Sequence, residues 1–184
     1  MLRYLPNCLT LSRLLLAGPL GFFILQEQYA GALVLGALAG LTDALDGFFA
    51  RRLNAHSRFG AALDPIADKV LVTVAFLTFA QTGLIPWYLA LAVILRDLLI
   101  VVGASCYHWL VGPFEFAATP LSKANMFIQI AFCILVLLVQ VLPAMTPDAL
   151  TLGAAAVLFF AGASGADYVI KWSARAFREK RKHD

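Results

Sequence analysis

Six helix-length apolar runs constrain the fold of this chain more than any other feature of its sequence. They cover residues 9–25, 30–50, 61–79, 87–110, 121–142 and 149–170. Each is close to the roughly 20 residues that a helix needs to cross a hydrocarbon core of about 30 Å. Hydrophobic residues make up 61% of the 184-residue chain, more than a soluble domain of this length tolerates. The sequence therefore predicts an all-α integral membrane protein, with six transmembrane helices in a single domain spanning residues 1–184.

The basic residues predict how these helices are oriented, because Lys and Arg collect in cytoplasmic segments. The basic residues outside the helix interiors fall on one side of a six-helix arrangement. They are Arg3, Arg51, Arg52, Arg58, Lys123 and the Lys and Arg residues of the tail from Lys171 to Lys182. We therefore expect both termini in the cytoplasm of a bacterium with the protein in its inner membrane, or on the matrix side in an organelle. The net charge of +3 then describes a basic rim that contacts anionic lipid headgroups, and no nucleic-acid partner is expected.

Four aspartates lie in the second and third apolar runs, where an ionised carboxylate costs at least about 2.5 kcal/mol. Asp43 and Asp46 are three residues apart, and Asp64 and Asp68 are four apart. A helix turns once in about 3.6 residues, so the members of each pair share one helical face. The link between the two runs is short and polar. The two helices should therefore be antiparallel neighbours whose paired carboxylates face one another.

Carboxylates that converge in a poorly hydrated place repel one another unless cations neutralise them, and this predicts a metal site. Oxygen-only ligation suits Mg²⁺ or Mn²⁺, and two such ions about 3.5–4 Å apart favour displacement at phosphorus. Gly47 and Gly60 would let a ligand approach the backbone, and Ala50 is also small. Arg51 offers a planar donor fork that suits a diphosphate.

These residues stand in a pattern that resembles a known family. The stretch Asp43-x-x-Asp46-Gly47-x-x-Ala50-Arg51, followed after eight residues by Gly60-x-x-x-Asp64-x-x-x-Asp68, resembles the signature of the CDP-alcohol phosphatidyltransferases. The resemblance implies that the four aspartates bind two divalent metal ions and that Asp68 also acts as the general base. It implies that Gly47, Ala50, Arg51 and Gly60 line the CDP site. The implied activity is transfer of a phosphatidyl group from CDP-diacylglycerol to an alcohol by a membrane homodimer, with release of CMP.

Resemblances outside this signature predict the acceptor. The opening Pro6-Asn7-x-Leu9-Thr10-x-x-Arg13 resembles the branch of the family that makes phosphatidylglycerophosphate and cardiolipin. Enzymes of that branch that use glycerol 3-phosphate typically carry an arginine about two turns after the position of Arg96. This chain instead has Gly103-Ala104-Ser105.

The run Pro120-Leu121-Ser122-Lys123-x-Asn125, with Gln129 following, is similar to cardiolipin synthases of the eukaryotic type. These patterns favour phosphatidylglycerol as the acceptor, with glycerol 3-phosphate as the alternative. The candidate contacts to the phosphate of the acceptor or of the lipid are Arg13, Arg96 and Lys123.

A divalent-cation carrier is the alternative from another functional class, because intramembrane carboxylates also mark ion pathways. Carriers usually hold their sites near the midplane between related repeats. Here the aspartates lie only about 12 Å from one end of their helices, and no internal repeat is detected. A non-catalytic assembly subunit would leave the aspartates unexplained.

Four further patterns give expectations about local contacts. Four small residues permit close helix contact, either between the subunits of the homodimer or within one subunit: Gly31, Gly36, Ala37 and Gly40. Asp167 precedes Lys171 by four residues, which predicts an ion pair along one helix. Asp97 is expected to point away from Arg96 and to pair elsewhere. Lys69 is expected either to neutralise the carboxylate site or to extend to the surface.

Overall fold

The computed structural model describes the backbone of residues 5–53, 58–111, 119–142 and 147–183. Within these segments it describes the side chains of residues 14–42, 69–103, 105, 109, 119–142 and 148–171. The described backbone forms six α-helices: α1 Leu5–Leu25, α2 Tyr29–Leu53, α3 Arg58–Gln81, α4 Trp87–Val111, α5 Pro120–Val141 and α6 Pro147–His183. The prediction of an all-α protein is confirmed, and the helices follow the six apolar runs.

The helix ends differ from the apolar runs where polar residues continue a helix. α6 extends to His183 instead of ending near Ile170, because the Arg, Lys, Glu and Ala residues of the tail are good helix formers. α5 begins directly after Thr119, whose side chain accepts a hydrogen bond from the Ser122 backbone N–H at 3.2 Å. This contact caps α5 and holds the start of the helix in place.

Two helical segments of the described chain are long and apolar enough to cross a membrane, namely Pro120–Val141 and Asp148–Lys171. Three shorter apolar helical stretches accompany them, Leu14–Leu25, Tyr29–Thr42 and Lys69–Gln81. α4 is predominantly apolar as well, so the apolar character predicted for the chain is spread over all six helices.

The helices pack into one bundle through a set of pairwise contacts. α1 contacts α2 and α3, while α6 contacts α4 and α5. α5 also contacts α2 and α3, and α3 contacts α4. The ring of Phe132 in α5 lies 5.9 Å from the ring of Phe76 in α3, and a Cβ on Gly153 in α6 would come within 2.7 Å of the same Phe132 ring. Phe132 therefore joins α3, α5 and α6 near the middle of the core.

Candidate active site

The two halves of the aspartate pattern lie on uninterrupted helices. Asp43 and Asp46 fall within α2, which continues to Leu53, and Asp64 and Asp68 fall within α3. The helical backbone places each pair on one face, as the spacings of three and four residues predict. The side chains of all four aspartates lie outside the described part of the chain, so their convergence on metal ions stays a prediction.

The other residues predicted for this site also lie outside the part of the chain whose side chains the structure describes. Gly47, Ala50 and Arg51 belong to α2, and Gly60 belongs to the first turn of α3. Their surroundings fall outside the described residues, and so does the side chain of Arg13 in α1. The predicted CDP site therefore stays a prediction that rests on the sequence pattern and on the helical backbone beneath it.

Thr42 shows how regular α2 is where the aspartate pattern begins. Its hydroxyl donates to the backbone carbonyl oxygens of Leu38, at 3.0 Å, and Ala39, at 2.8 Å. Such bonds back to the preceding turn satisfy the hydroxyl without an outside partner. The residue directly before Asp43 is thus held in the helix.

An apolar cavity of about 300 Å³ lies between α1, α2, α3 and α5. On α2 its wall includes Gly36, Ala37 and Gly40, and on α3 it includes Leu71 and Val72. Gly40 lies one turn before Asp43 and Leu71 one turn after Asp68, so the cavity adjoins both halves of the aspartate pattern along the helices. The cavity is lined almost entirely by apolar side chains and glycine.

The structure separates the three glycines among the four small residues of α2 into two groups. A Cβ on Gly31 would lie 2.5 Å from the ring of Phe23, so Gly31 serves the packing of α2 on α1 within one subunit. A Cβ on Gly36 or Gly40 would meet nothing within 4 Å, because both glycines border the cavity. Close helix packing within the subunit therefore accounts for Gly31 and not for the other two glycines.

Arg96 forms the centre of a polar cluster that joins α4, α5 and α6. The residue is only 8% exposed. Its Nη2 donates to the hydroxyl oxygen of Ser122 at 2.9 Å and to the hydroxyl oxygen of Ser164, and its Nη1 lies 2.6 Å from Asp97 Oδ1. Burial of a guanidinium is tolerated here because a carboxylate and two hydroxyls accept from it.

The expected orientation of Asp97 is wrong, because its carboxylate pairs directly with the neighbouring Arg96, while the expected pairing with another group is confirmed by Lys69. The same oxygen, Oδ1, lies 3.4 Å from Lys69 Nζ, so the cluster also reaches α3. Lys69 is half-buried and turned toward Asp97. With two cations and one carboxylate, the cluster keeps an excess of one positive charge directly beside Asp68 in the sequence. Its sign suits a site that holds several carboxylates or phosphates.

Lys123 lies on the exposed surface of α5, two residues before the buried Asn125. Its side chain is exposed at the surface of the bundle, one residue after Ser122 of the Arg96 cluster. The ion pair predicted between Asp167 and Lys171 is confirmed, with 2.7 Å between Lys171 Nζ and Asp167 Oδ2.

Sequence reasoning missed Ser164 as a partner of Arg96 and assigned no contact to the hydroxyl of Ser122. The signal for Ser122 was present, because Ser122, Asn125 and Gln129 are polar residues at helical spacing in an otherwise apolar helix. No local signal marks Ser164, which lies 68 residues from Arg96.

Arg96→Ala is expected to lower the free energy of unfolding by about 3–5 kcal/mol, because it removes the buried group that links Asp97, Ser122 and Ser164 and leaves the Asp97 carboxylate with Lys69 alone. Thermal unfolding of the purified protein in detergent would measure the loss. Lys171→Ala is the matched control, since it removes a cation from an ion pair at the surface, and little change is expected. Equal stability of the two variants would show that the cluster contributes nothing to the fold.

The amino-acid sequence of this chain is similar to a known protein family and to several known proteins. A family model described as CDP-alcohol phosphatidyltransferase matches residues 3–168. A protein of Rattus norvegicus named cardiolipin synthase (CMP-forming) is 46% identical over 98 residues, which cover 53% of this chain and 32% of that protein. A protein of Aquifex aeolicus named CDP-diacylglycerol–glycerol-3-phosphate 3-phosphatidyltransferase is 43% identical over 103 residues, covering 53% of this chain and 56% of that protein.

The similarity extends further in one fusion protein of Schizosaccharomyces pombe, named cardiolipin synthase (CMP-forming) / mitochondrial hydrolase. It is 34% identical over 154 residues, which cover 76% of this chain and 26% of the fusion protein. Matches to the rat and Aquifex proteins span about a third and about half of those proteins.

Proposed function

The chain belongs to the CDP-alcohol phosphatidyltransferase family, and we propose that it transfers the phosphatidyl group of CDP-diacylglycerol to a glycerol-type hydroxyl with release of CMP. The observation that carries this proposal is the complete aspartate pattern on two unbroken helices, α2 and α3. Relatives named for both cardiolipin and phosphatidylglycerophosphate synthesis support it.

The donor set fits two hard divalent ions, Mg²⁺ or Mn²⁺. Both aspartate pairs keep their helical spacing in the structure, and carboxylate oxygens are the ligands that these ions prefer. In the proposal Asp43, Asp46, Asp64 and Asp68 hold the ions, which would neutralise charge on the diphosphate and its leaving group. The cluster of Lys69, Asp97 and Arg96 adds a net positive charge that begins one residue after Asp68 along α3.

The proposed reaction is an in-line displacement at the phosphorus that bears the diacylglycerol. The acceptor oxygen forms the new bond to phosphorus while the bond from phosphorus to the CMP oxygen breaks. Asp68 accepts the proton of the acceptor hydroxyl, the role of a general base within hydrogen-bond reach. Gly47, Ala50, Arg51 and Gly60 bind the CDP portion, with Arg51 donating to the diphosphate.

The favoured acceptor is phosphatidylglycerol, which makes cardiolipin the product. Two guanidinium nitrogens of Arg96 already donate to Asp97, Ser122 and Ser164, so this arginine offers no open fork to a second phosphate. Lys123 and Arg13 remain the candidate phosphate contacts in the proposal. Glycerol 3-phosphate is the second candidate, supported by the name of the Aquifex relative.

The arrangement in the membrane is also part of the proposal. All six helices would span the bilayer with both termini in the cytoplasm, and the site would open to the cytoplasmic leaflet of a bacterial inner membrane. The apolar cavity beside Gly36 and Gly40 would receive an acyl chain of the donor, because it adjoins both aspartate pairs. A homodimer is the proposed assembly, and mass measurement in native-like lipid would test it.

Purified protein supplied with CDP-diacylglycerol and Mg²⁺ is expected to release CMP and form cardiolipin when phosphatidylglycerol is added. Lipid products identified by mass spectrometry would test this against a panel with glycerol 3-phosphate, inositol and serine. Efficient formation of phosphatidylglycerophosphate without cardiolipin would overturn the acceptor and leave the reaction class intact. No CMP release with any acceptor would overturn the proposed function itself.

A further inference from the structure

A line of polar side chains occupies the buried face of α5. Ser122, Asn125 and Gln129 follow one another at intervals of three and four residues, which places them on one side of the helix. Asn125 is 0% exposed and Gln129 is 3% exposed. The same face continues into the apolar core with Phe132. Two carboxamides therefore lie in the interior of the bundle in an otherwise apolar helix.

Several polar atoms of this region lack a hydrogen-bond partner within the described part of the protein. They are both polar atoms of Asn125, Nε2 of Gln129 and Nε of Arg96. A buried polar atom without a partner costs about 1–3 kcal/mol. Folded proteins satisfy nearly all such atoms, with water or a ligand where no protein group is available. These four unpaired atoms belong to one face of α5 and to the arginine that contacts Ser122 on that face, and they therefore point to a bound polar molecule.

Within the described part of α6, the face that lies opposite Asn125 offers no polar side chain as a hydrogen-bond partner. Ser122 and Ser164 accept from the same Arg96 nitrogen, so they lie level with one another in α5 and α6. Phe132 lies beside Gly153, further along α5 and earlier in α6, so the two helices are antiparallel. One turn from each serine, Asn125 is then level with Ala161. That residue is buried and offers only a methyl group.

The position of Asn125 along the bundle matches that of the predicted general base. Lys69 of α3 and Ser122 of α5 both belong to the Arg96 cluster. Phe76 and Phe132, further along each helix, are in ring contact. α3 and α5 therefore run in the same direction, and Asn125 lies within about one turn of the level of Lys69. Asp68 directly precedes Lys69.

The unpaired atoms also define the chemistry of the missing partner. Three of them are N–H donors, on Arg96, Asn125 and Gln129, and the fourth is the acceptor Oδ1 of Asn125. A hydroxyl both accepts and donates, so it can satisfy an N–H group and the carbonyl oxygen together. A phosphate oxygen only accepts, and it would compete with the Asp97 carboxylate for Arg96. A neutral polyol fits this set better than an anion does.

We propose that Asn125 and Gln129, together with Arg96 Nε, bind the hydroxyl groups of the glycerol-type acceptor, with Asn125 as the specificity-determining contact. This inference rests on the proposed function and adds a subsite to it. Phosphate contacts hold the lipid portion of the acceptor elsewhere. The carboxamides then recognise its terminal glycerol hydroxyls at the level of Asp68.

Asn125→Leu tests the subsite, because leucine has the same number of side-chain heavy atoms and the same branching at Cγ as asparagine and removes both polar atoms. The KM for phosphatidylglycerol is expected to rise about 10- to 100-fold, the loss of one or two hydrogen bonds to a ligand. The KM for CDP-diacylglycerol should stay within about twofold of the wild-type value, since the donor is bound elsewhere. Phe127→Leu, on the 71% exposed flank of the same helix, is the matched control and should behave as wild type.

A binding measurement separates the subsite from the overall reaction. Short-chain phosphatidylglycerol is expected to raise the thermal unfolding temperature of the wild-type protein and not that of Asn125→Leu. CDP-diacylglycerol should stabilise both proteins equally. This comparison remains informative even where no turnover is found, so failure of the subsite and failure of the proposed function can be distinguished.

Three outcomes would overturn the subsite. One is an acceptor KM within twofold of wild type, which would assign the unpaired atoms to internal water. Another is an equal rise in both KM values together with lower stability, the result expected of a purely structural carboxamide. If Asn125→Leu does not fold, Asn125→Ser and Asn125→Ala replace it. Serine keeps a hydroxyl that donates and accepts, so a KM for the serine variant no lower than for alanine would also contradict the proposal.

Discussion

Replacing Asp68 with asparagine is expected to lower the rate of phosphatidyl transfer by at least about 1000-fold. Asparagine has nearly the same size as aspartate but cannot accept the proton of the acceptor hydroxyl, and it is a poor ligand for a hard divalent ion. A general base contributes about 100- to 10,000-fold to a rate, and loss of metal ligation adds to that. CMP release and lipid product would be measured with purified protein in detergent.

The matched control for this variant is Asp167→Asn. Asp167 lies on α6, where its carboxylate pairs with Lys171 one helical turn later and accepts a hydrogen bond from the side chain of Thr119. Its loss should leave the rate near that of the wild type. Retained thermal stability and retained binding of CDP-diacylglycerol in Asp68→Asn would show that the chemistry was lost and not the fold. Transfer by Asp68→Asn at a rate close to wild type would remove Asp68 from the role of base.

Chelation of divalent metal is expected to reduce transfer by at least about 100-fold, since the ions contribute several kcal/mol of charge stabilisation to displacement at phosphorus. Without them, four neighbouring carboxylates would repel both the diphosphate and one another. EDTA treatment followed by addition of Mg²⁺ or Mn²⁺ should abolish and then restore CMP release. Full activity of exhaustively chelated, metal-free protein would contradict the two-ion proposal.

Substitution of a single aspartate tests whether that residue is a ligand of the metal ions. Asp43→Asn is expected to raise the Mg²⁺ concentration needed for half-maximal rate, or to remove activity at every concentration, because it withdraws one charged ligand. Asp148→Asn, which changes an exposed acid in the first turn of α6, should leave the Mg²⁺ dependence unchanged. Identical Mg²⁺ curves for the two variants would exclude Asp43 from the metal site.

Much of the secondary structure could be predicted from the sequence, because the length and period of an apolar run are local properties. The ion pair between Asp167 and Lys171 was predicted for the same reason, since it depends only on the helical spacing. The shared face of each aspartate pair was predictable for the same reason, because the two members lie about one turn apart on α2 or on α3. The local rule failed at Asp97. Neighbouring Cβ atoms diverge on a helix, but the long Arg96 side chain bends back to the adjacent carboxylate.

The tertiary structure decided which faces of the helices meet. Ser122 and Ser164, the hydroxyl partners of Arg96, lie 26 and 68 residues from it in the sequence. Gly31 and Gly36 look alike in the sequence, yet only Gly31 packs against a ring. Phe127 is 71% exposed and Phe132 is 3% exposed, although both are phenylalanines of the same helix. In helices that are apolar on nearly every side, hydrophobicity does not distinguish an exposed face from a core face. The rotation of each helix is set by the simultaneous packing of all its neighbours, and the burial of Asn125 and Gln129 follows from that packing.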